Sequence, residues 1–470
     1  MKVLLINPPQ ENMLQTELPA EVEEERGIYP SLGIMYVAAY AERYTDHTIE
    51  ILDANAEGIS HKSLKQAIAD RKPDIVGIQT ITYTFIDAIE TARTVKSISQ
   101  DIPVVMGGIH ATIYPDATIR FPEVDYVIAG EGEISFTQLL NSLNDKAKLS
   151  EIPGLLYKDK GKVCRGKESM IIKDLDSLPF PARHLTPYKT YYSPLASRAP
   201  LTTMISSKGC PNQCTFCDRP QLSNRFRARS PKNIVDEMEA ANKLGIYEFS
   251  LYDDTFTTSR KRAIEVCEEI LRRGMKIGWD IRARVNTVDQ ELLNLLKKAG
   301  CERIYFGVES GDPDILKKIK KNIKLEDVKK AFRMTTDAGI KALGYFMIGL
   351  PTETREQINR TIDFALSLPA SYCVFEIFIP FPATEIYYEG LATGIFKTDY
   401  WAEFAANPTP EFKVRYCEDI LKKEELQELC AKAYKQFYFR PSYLIKRLLA
   451  IKSWHEFSVQ LKGGLKLLKV

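Results

Sequence analysis

Twice along this chain, short apolar runs alternate with segments whose apolar residues recur at helical spacing. In the first series the runs are KVLLIN, TIEILD, DIVGIQT, IPVVMGG and VDYVIAG. The amphipathic segments between and after them include SLGIMYVAAYAERY, HKSLKQAIADRK, TFIDAIETARTVKSI and ISFTQLLNSLN. Near-continuous apolar strands separated by helices predict a parallel sheet buried on both faces. The second series starts near Pro200 and holds about six strand-like runs, from LTTMISS to YCVFEIFI, again with helices between. Eight such units would close a barrel, so about six predict an open or partial one.

The fold class is therefore α/β. A Rossmann-like, doubly wound parallel sheet is expected over residues 1–150, and a linker over 151–195. A partial (β/α)6 barrel of the TIM type follows over 196–390, then a small helical C-terminal region over 391–470. Two large domains suit 470 residues, since single cores stop growing well below that size. The linker reading rests on the Pro-rich LDSLPFPARHLTPY. Just before it, IPGLLYKDKGKVCRGK reads as a hairpin turning at Lys158–Gly161.

Hydrophobic content of 44% and charged content of 27% are ordinary for a globular protein. A net charge of +2 gives no reason to expect nucleic acid. The start, MKVLLINPPQ, has five apolar residues before Asn7 and Pro8, too few for a secretory core segment. No run approaches the ~18 apolar residues of a membrane span. A cytoplasmic protein is expected.

Of nine cysteines, six are scattered singly: Cys164, Cys267, Cys301, Cys373, Cys417 and Cys430. They read as buried small apolar residues, and an odd count without paired spacing is a poor disulfide framework. The other three, Cys210, Cys214 and Cys217, fall within GCPNQCTFCDRP, directly after the first strand of the second series. Thiolates suit zinc and iron–sulfur clusters. Zinc wants four protein ligands, and no Cys or His pair elsewhere supplies the fourth. A cubane cluster usually takes four thiolates, so three leave one iron open to an outside ligand. A structural zinc or cysteine loop on an α/β scaffold is the non-enzyme alternative.

The spacing Cys-x3-Cys-x2-Cys, with Phe216 before the last cysteine, resembles the radical S-adenosylmethionine (SAM) superfamily. The resemblance implies a [4Fe-4S] cluster on Cys210, Cys214 and Cys217, with SAM on the open iron and its reductive cleavage to a 5′-deoxyadenosyl radical. It also implies SAM contacts. Asp253 and Asp254 of YDDTF would lie near the amino group. Glu309 and Ser310 of FGVESGD would meet the ribose. Gly349 to Pro351 of MIGLP would pass the adenine. Arg282 and Arg284 would pair with the carboxylate, or equally form internal salt bridges.

Independently, the strand ends of the first series are where α/β folds place ligands. They carry Asn7-Pro8-Pro9, Thr80, Gly107-Gly108 and Gly130-Glu131-Gly132. With PSLGIMYVAAYAE (Leu32, Gly33) and VVMGGIHAT (His110), they resemble the cobalamin (B12)-binding domain fused to many radical SAM proteins. LPFPARHL and RARSPKNIVDEME narrow the likeness to the anaerobic magnesium-protoporphyrin IX monomethyl ester cyclase-like class. One motif departs. Asp-x-His-x-x-Gly, whose histidine ligates cobalt, is replaced by NPPQEN. The echo Asp53-x-Asn55-x-x-Gly58 is a coincidence, because Asn cannot replace the imidazole. Cobalamin is thus expected without a histidine on its lower face, and His110 is not expected to be that ligand.

What the resemblance implies is a cobalamin-dependent radical SAM enzyme acting on an unactivated carbon of a small-molecule or lipid-like substrate. C-methylation is the leading outcome. Cyclisation or oxidation without methyl transfer is the alternative. A reductant such as flavodoxin or ferredoxin would supply the electron, and no nucleic acid is involved. A methylthiotransferase is disfavoured: that class carries three further cluster cysteines in its first domain, and residues 1–150 contain none. The segment YLIKRLLAIKSWHEF mixes Leu, Ile and Trp with Lys and Arg. It fits a helix lying on a membrane surface as well as one capping the barrel, the commoner case.

Overall fold

The computed structural model describes residues 1–15, 27–143, 145–218, 225–441 and 443–445. The segment from Lys446 onward, with most of YLIKRLLAIKSWHEF, lies outside the described residues.

The first sheet has seven strands in the order β2-β1-β3-β4-β5-β6-β7. They are β1 Lys2–Asn7, β2 Thr48–Asp53, β3 Ile75–Gln79, β4 Val104–Gly107, β5 Tyr126–Ile128, β6 Leu155–Asp159 and β7 Lys162–Arg165. The first five run parallel. Val3, Leu4, Leu5 and Ile6 of the central β1 are all buried, as a strand covered on both faces requires. One face packs on helices Leu32–Tyr44 and Gly132–Leu140 through Ile34, Met35, Phe136 and Leu139. The other packs on helices His61–Arg71 and Phe85–Ile98 through Leu64, Ile68, Phe85 and Ile89. The chain order reverses between β1 and β3, which opens a crevice at their carboxyl ends.

The hairpin of residues 155–165 is not linker. It extends the first sheet, with β6 antiparallel to β5 and β7 antiparallel to β6. The reason is burial: Leu155, Leu156 and Tyr157 are three adjacent apolar residues that need cover on both faces, and the sheet edge provides it. Lys160 and Gly161 both take positive φ, as a two-residue turn of this hand demands.

The second sheet has six strands in the order β15-β14-β13-β12-β11-β8, all parallel. They are β8 Leu201–Met204, β11 Glu248–Leu251, β12 Gly278–Ala283, β13 Cys301–Glu309, β14 Lys341–Ile348 and β15 Tyr372–Ile377. Strands laid down in chain order with helices between them are the topology of an incomplete (β/α) barrel, with β8 and β15 as free edges. Local signals set the helix starts. The Ser230 and Asp289 side chains cap helices Pro231–Asn242 and Gln290–Lys298, and Thr354 with Gln357 forms a capping box on Arg355–Ser367. A short ribbon, β9 Ser207–Lys208 with β10 Arg227–Ala228, stands between β8 and its helix.

The two units are stitched through the connecting segment. Arg183 is buried and donates to Thr202 Oγ1 at 2.8 Å and to Glu237 Oε1 at 2.5 Å. Arg229 meets the other oxygen of Glu237 and reaches the Tyr36 hydroxyl of the first domain. Tyr191 donates to Asp53 at 2.8 Å. The described part of the helical C-terminal region closes two gaps. Helix Lys423–Tyr438 covers the free edge of β15, where the Tyr434 and Tyr438 hydroxyls accept from the backbone N–H groups of Phe375 and Cys373. Helix Tyr400–Ala406 sets Phe404 against Phe85 and His110 of the first domain.

Candidate active site

The three clustered cysteines ride on the loop that the β9–β10 ribbon closes. Gly209, at φ 84°, turns the chain out of β9 immediately before Cys210. Cys210 and Cys214 are buried and Cys217 is half-buried. Donors surround the sulfurs. Asn212 Nδ2 lies 3.1 Å from Cys210 Sγ, with Thr255 Oγ1 at 3.9 Å. Arg284 Nη1 is 3.8 Å from Cys214 Sγ. The loop is pinned by backbone bonds, Thr215 N to Ile319 O and Ile386 N to Thr215 O, both 3.1 Å. Among the described residues no three His, Cys, Asp or Glu side chains gather as ligands of a single metal ion.

The other expected SAM residues divide. Phe216 packs on the core beside the buried Lys321, whose ammonium stands 5.7 Å from the ring centroid. Glu309 ends β13 at φ 72° and accepts from Lys321 at 2.6 Å. A non-glycine residue held at positive φ is a strain that often marks a working site. Asp254 is exposed and lines the cavity described below. Asp253 is turned away: it accepts from Ser206 N and Ser207 Oγ at 2.6 Å and pairs with Arg262. Arg282 is likewise engaged. Its Nη1 bonds Asp280 at 2.7 Å, Ser250 Oγ and Leu251 O, and its guanidinium is 4.0 Å from the Tyr252 ring centroid and 4.7 Å from that of Tyr305. Ser310 is fully buried against Thr361 and the Asp312 backbone. Gly349 takes φ 83° and donates to Glu353 Oε2, as does Leu350, while the Pro351 carbonyl accepts from Lys318. Glu353 is buried, its Oε1 has no partner, and burial pushes its pKa up to about 7 against those backbone bonds.

A cavity of about 390 Å³ opens at the carboxyl ends of β1, β3, β4 and β5 and runs to the root of the cysteine loop. Of the residues expected at a cobalamin site, Gly33, Gly107, Gly108, Gly130, Glu131 and Gly132 line it. Gln79, Lys208, Gly209, Asp218, Arg227 and Tyr252 line it too. Asn7, Pro8, Pro9, Leu32, Thr80 and His110 are not brought to it. Asn7 bonds Asp53 at 2.9 Å, and Thr80 bonds the Gly107 carbonyl at 3.0 Å. His110 is wholly buried, stacked on Phe85 at 3.7 Å, and burial lowers its pKa to about 3, so the ring is neutral.

Glu131 joins the two domains at this cavity. Arg227 grips it with a fork, at 2.8 Å to Oε1 and 3.1 Å to Oε2, and Lys208 adds a contact at 3.2 Å. Burial raises the carboxyl's proton affinity, but Arg227 and Lys208 outweigh it and hold the group below its usual range. Lys208 and Arg227 are paired residues of the β9–β10 stem. One carboxylate of the first domain thus clamps both ends of the cysteine loop.

Comparison with known proteins agrees with this architecture. Residues 204–365 match the Radical SAM superfamily and residues 22–140 the B12 binding domain. An uncharacterized methyltransferase of Pyrococcus horikoshii is 35% identical over 95% of this chain and 94% of its own length. The chain belongs to the radical SAM superfamily, with a B12-binding domain in front. The anaerobic magnesium-protoporphyrin IX monomethyl ester cyclase of Rubrivivax gelatinosus is 29% identical over 90% of this chain and 76% of its own. The radical SAM methyltransferase TsrM of Kitasatospora setae, solved with cobalamin and a [4Fe-4S] cluster bound, shares the fold. It has a TM-score of 0.66 at 21% identity, covering 84% of this chain and 75% of that one.

A radical SAM enzyme uses SAM and a [4Fe-4S] cluster, and the residues here fit that set. Three thiols on one loop, with a donor aimed at two of the sulfurs, suit thiolates that each bind a different iron. The first domain fits cobalamin. Gly33 and Gly107 have no positive φ, and a Cβ built at Gly33 would meet nothing within 4 Å, while one at Gly107 would meet only Ile128 O at 3.7 Å. Neither backbone geometry nor packing demands glycine there; the side chains they lack would occupy the cavity. Arg227 Nε, buried at its wall, lacks a partner.

Sequence reasoning missed Lys208, Arg227, Lys321 and Glu353. Lys321 sits in KKIKKNIK, which reads as a solvated basic run. Nothing local marks Lys208 and Arg227, because their partner Glu131 lies far off in sequence; the bonds of Glu353 are local, to Gly349 and Leu350, but its burial is set by the fold.

Proposed function

We propose that this enzyme C-methylates an unactivated carbon of a small-molecule or lipid-like substrate, taking its electron from a flavodoxin or ferredoxin in the cytoplasm. Cys210, Cys214 and Cys217 would hold the cluster, with Phe216, Asp254 and Glu309 around the SAM on it. Gly33, Gly107, Gly108, Gly130 and Gly132 would line the cobalamin site. When bound, SAM at the reduced cluster supplies a hydrogen-abstracting radical and cobalamin a transferable methyl group. The protein positions these groups and excludes water. The observation that carries the reading is the single cavity running from the glycine-rich strand ends to Gly209 and Asp218 of the cysteine loop. Both cofactors would open onto the same space. Among the described residues no helix is long and apolar enough to cross a membrane.

Cyclisation without methyl transfer is the second reading, favoured by the cyclase relative's match over 90% of the chain. Product analysis separates the two. The reconstituted enzyme is incubated anaerobically with SAM, cobalamin, reductant and fractions of a cell extract. Methyl transfer through cobalamin yields S-adenosylhomocysteine and 5′-deoxyadenosine in equal amounts. 5′-Deoxyadenosine alone, with cobalamin bound, rejects methylation in favour of the second reading.

A further inference from the structure

We infer that Arg284 is the counter-charge of the Cys214 thiolate and raises the reduction potential of the cluster that the cysteine loop holds. The inference rests on the radical SAM reading of that loop.

Arg284 follows β12 directly and is 6% exposed. Its bonds go to Cys214 Sγ at 3.8 Å, to the Lys321 carbonyl, and to Asn286 Oδ1 at 3.4 Å. No carboxylate among the described residues pairs with it. Other buried or half-buried cations of this domain differ. Lys321 has Glu309 at 2.6 Å, Arg282 has Asp280 at 2.7 Å, and Arg262 has Asp253 at 3.4 Å. A guanidinium cannot shed its proton, and a buried charge without a counter-ion is costly. The group within reach that can become anionic is the Cys214 sulfur. As a thiolate on iron it completes the pair, and the pairing strengthens when the cluster gains an electron and becomes more negative. Hydrogen bonds to cluster sulfurs and nearby charge are established levers on potential. The Lys321 carbonyl fixes the far side of the guanidinium, so the donor is pre-aimed. Arg284 is therefore a positioning residue acting through the cluster, in place of the SAM-carboxylate partner that its sequence position suggests.

The test is a redox titration of the reconstituted full chain without SAM, followed by the EPR signal of the reduced cluster. Wild type is compared with Arg284→Gln, which loses the charge, and Arg284→Lys, which keeps it. At the wild-type midpoint, Arg284→Gln is expected to hold about tenfold less reduced relative to oxidised cluster, a shift of about 59 mV for one electron. Arg284→Lys is expected to titrate near wild type. If Arg284→Gln takes up no iron while Arg284→Lys does, the charge requirement is supported. Equal potentials in wild type and Arg284→Gln overturn the inference, as does loss of iron from both variants. Unchanged potential with weakened SAM binding in Arg284→Gln also overturns it and restores the carboxylate role. A wild-type chain that forms no cluster would sink the radical SAM reading itself, a separate outcome.

Discussion

Asn212 is a small residue with a measurable task. Its amide is 3.1 Å from Cys210 Sγ, and groups that orient a metal ligand are typically worth roughly 10–100-fold in metal affinity or activity. Asn212→Ala is expected to fall within that range in iron retention under a chelator challenge, with the fold intact by circular dichroism. Glu353 makes a prediction about pH. Its folded pKa, about 7, stands above the usual 4.5. Between these values the folded state holds a proton that the unfolded state releases. Its contribution to stability is full below about 4.5 and is lost as pH rises through about 7, a change of about 3 kcal/mol. Denaturant unfolding at about pH 5 and about pH 8 should show this loss in wild type and not in Glu353→Gln, which cannot ionise. Residue by residue, the sequence was a partial guide. The cysteine trio is legible because its three thiols are neighbours in sequence. Asp253, Ser310 and His110 are not: each stands at a strand end where function is plausible, and each is taken up by a partner from another element, namely Arg262, Thr361 and Phe85.

At the scale of elements, the cysteine loop depends on its stem. The β9–β10 ribbon pairs only two residues on each strand, too few to be stable alone. Its Lys208 and Arg227 are held by Glu131, whose side chain is 8% exposed. Removing one partner of a buried pair leaves uncompensated charge and costs about 3–5 kcal/mol. Glu131→Gln is expected to lower the unfolding free energy by that order and to loosen the loop. Limited proteolysis is then expected to cut between residues 209 and 218 faster than in wild type. A variant with unchanged cleavage and unchanged stability would show that the clamp does not hold the loop. The same residue shows how elements can be read correctly and used differently. GEGE after β5 was expected as a ligand turn. Its glycines do line the cavity, and its first glutamate became an inter-domain clamp, because two cations on a distant ribbon face it.

On the scale of the whole molecule, the two domains meet at the carboxyl ends of their strands, and the cavity there belongs to both. Filling it from one side should separate the two cofactors' requirements. Gly33→Leu projects a side chain where a Cβ has no neighbour within 4 Å. Cobalamin binding, read by absorbance after gel filtration, is expected to fall about tenfold or more, since overfilling a site typically costs about 1–3 kcal/mol. Iron content and SAM binding are expected to stay at wild-type levels. Full cobalamin binding by Gly33→Leu would move the cobalamin site elsewhere.

By itself the sequence determined which segments are strands and helices, that there are two parallel α/β units, and which three thiols lie together on one loop. Those properties depend on periodicity and on close spacing, which a chain carries in its order of residues. Only the tertiary structure decided that the 155–165 hairpin joins the first sheet, that Asp253 and Arg282 are spent on internal pairs, and that Glu131 and Arg284 serve the cysteine loop from 77 and 70 residues away. Ion pairs and buried charges are settled by what lies within a few ångströms after folding, and distance along the chain places no limit on that.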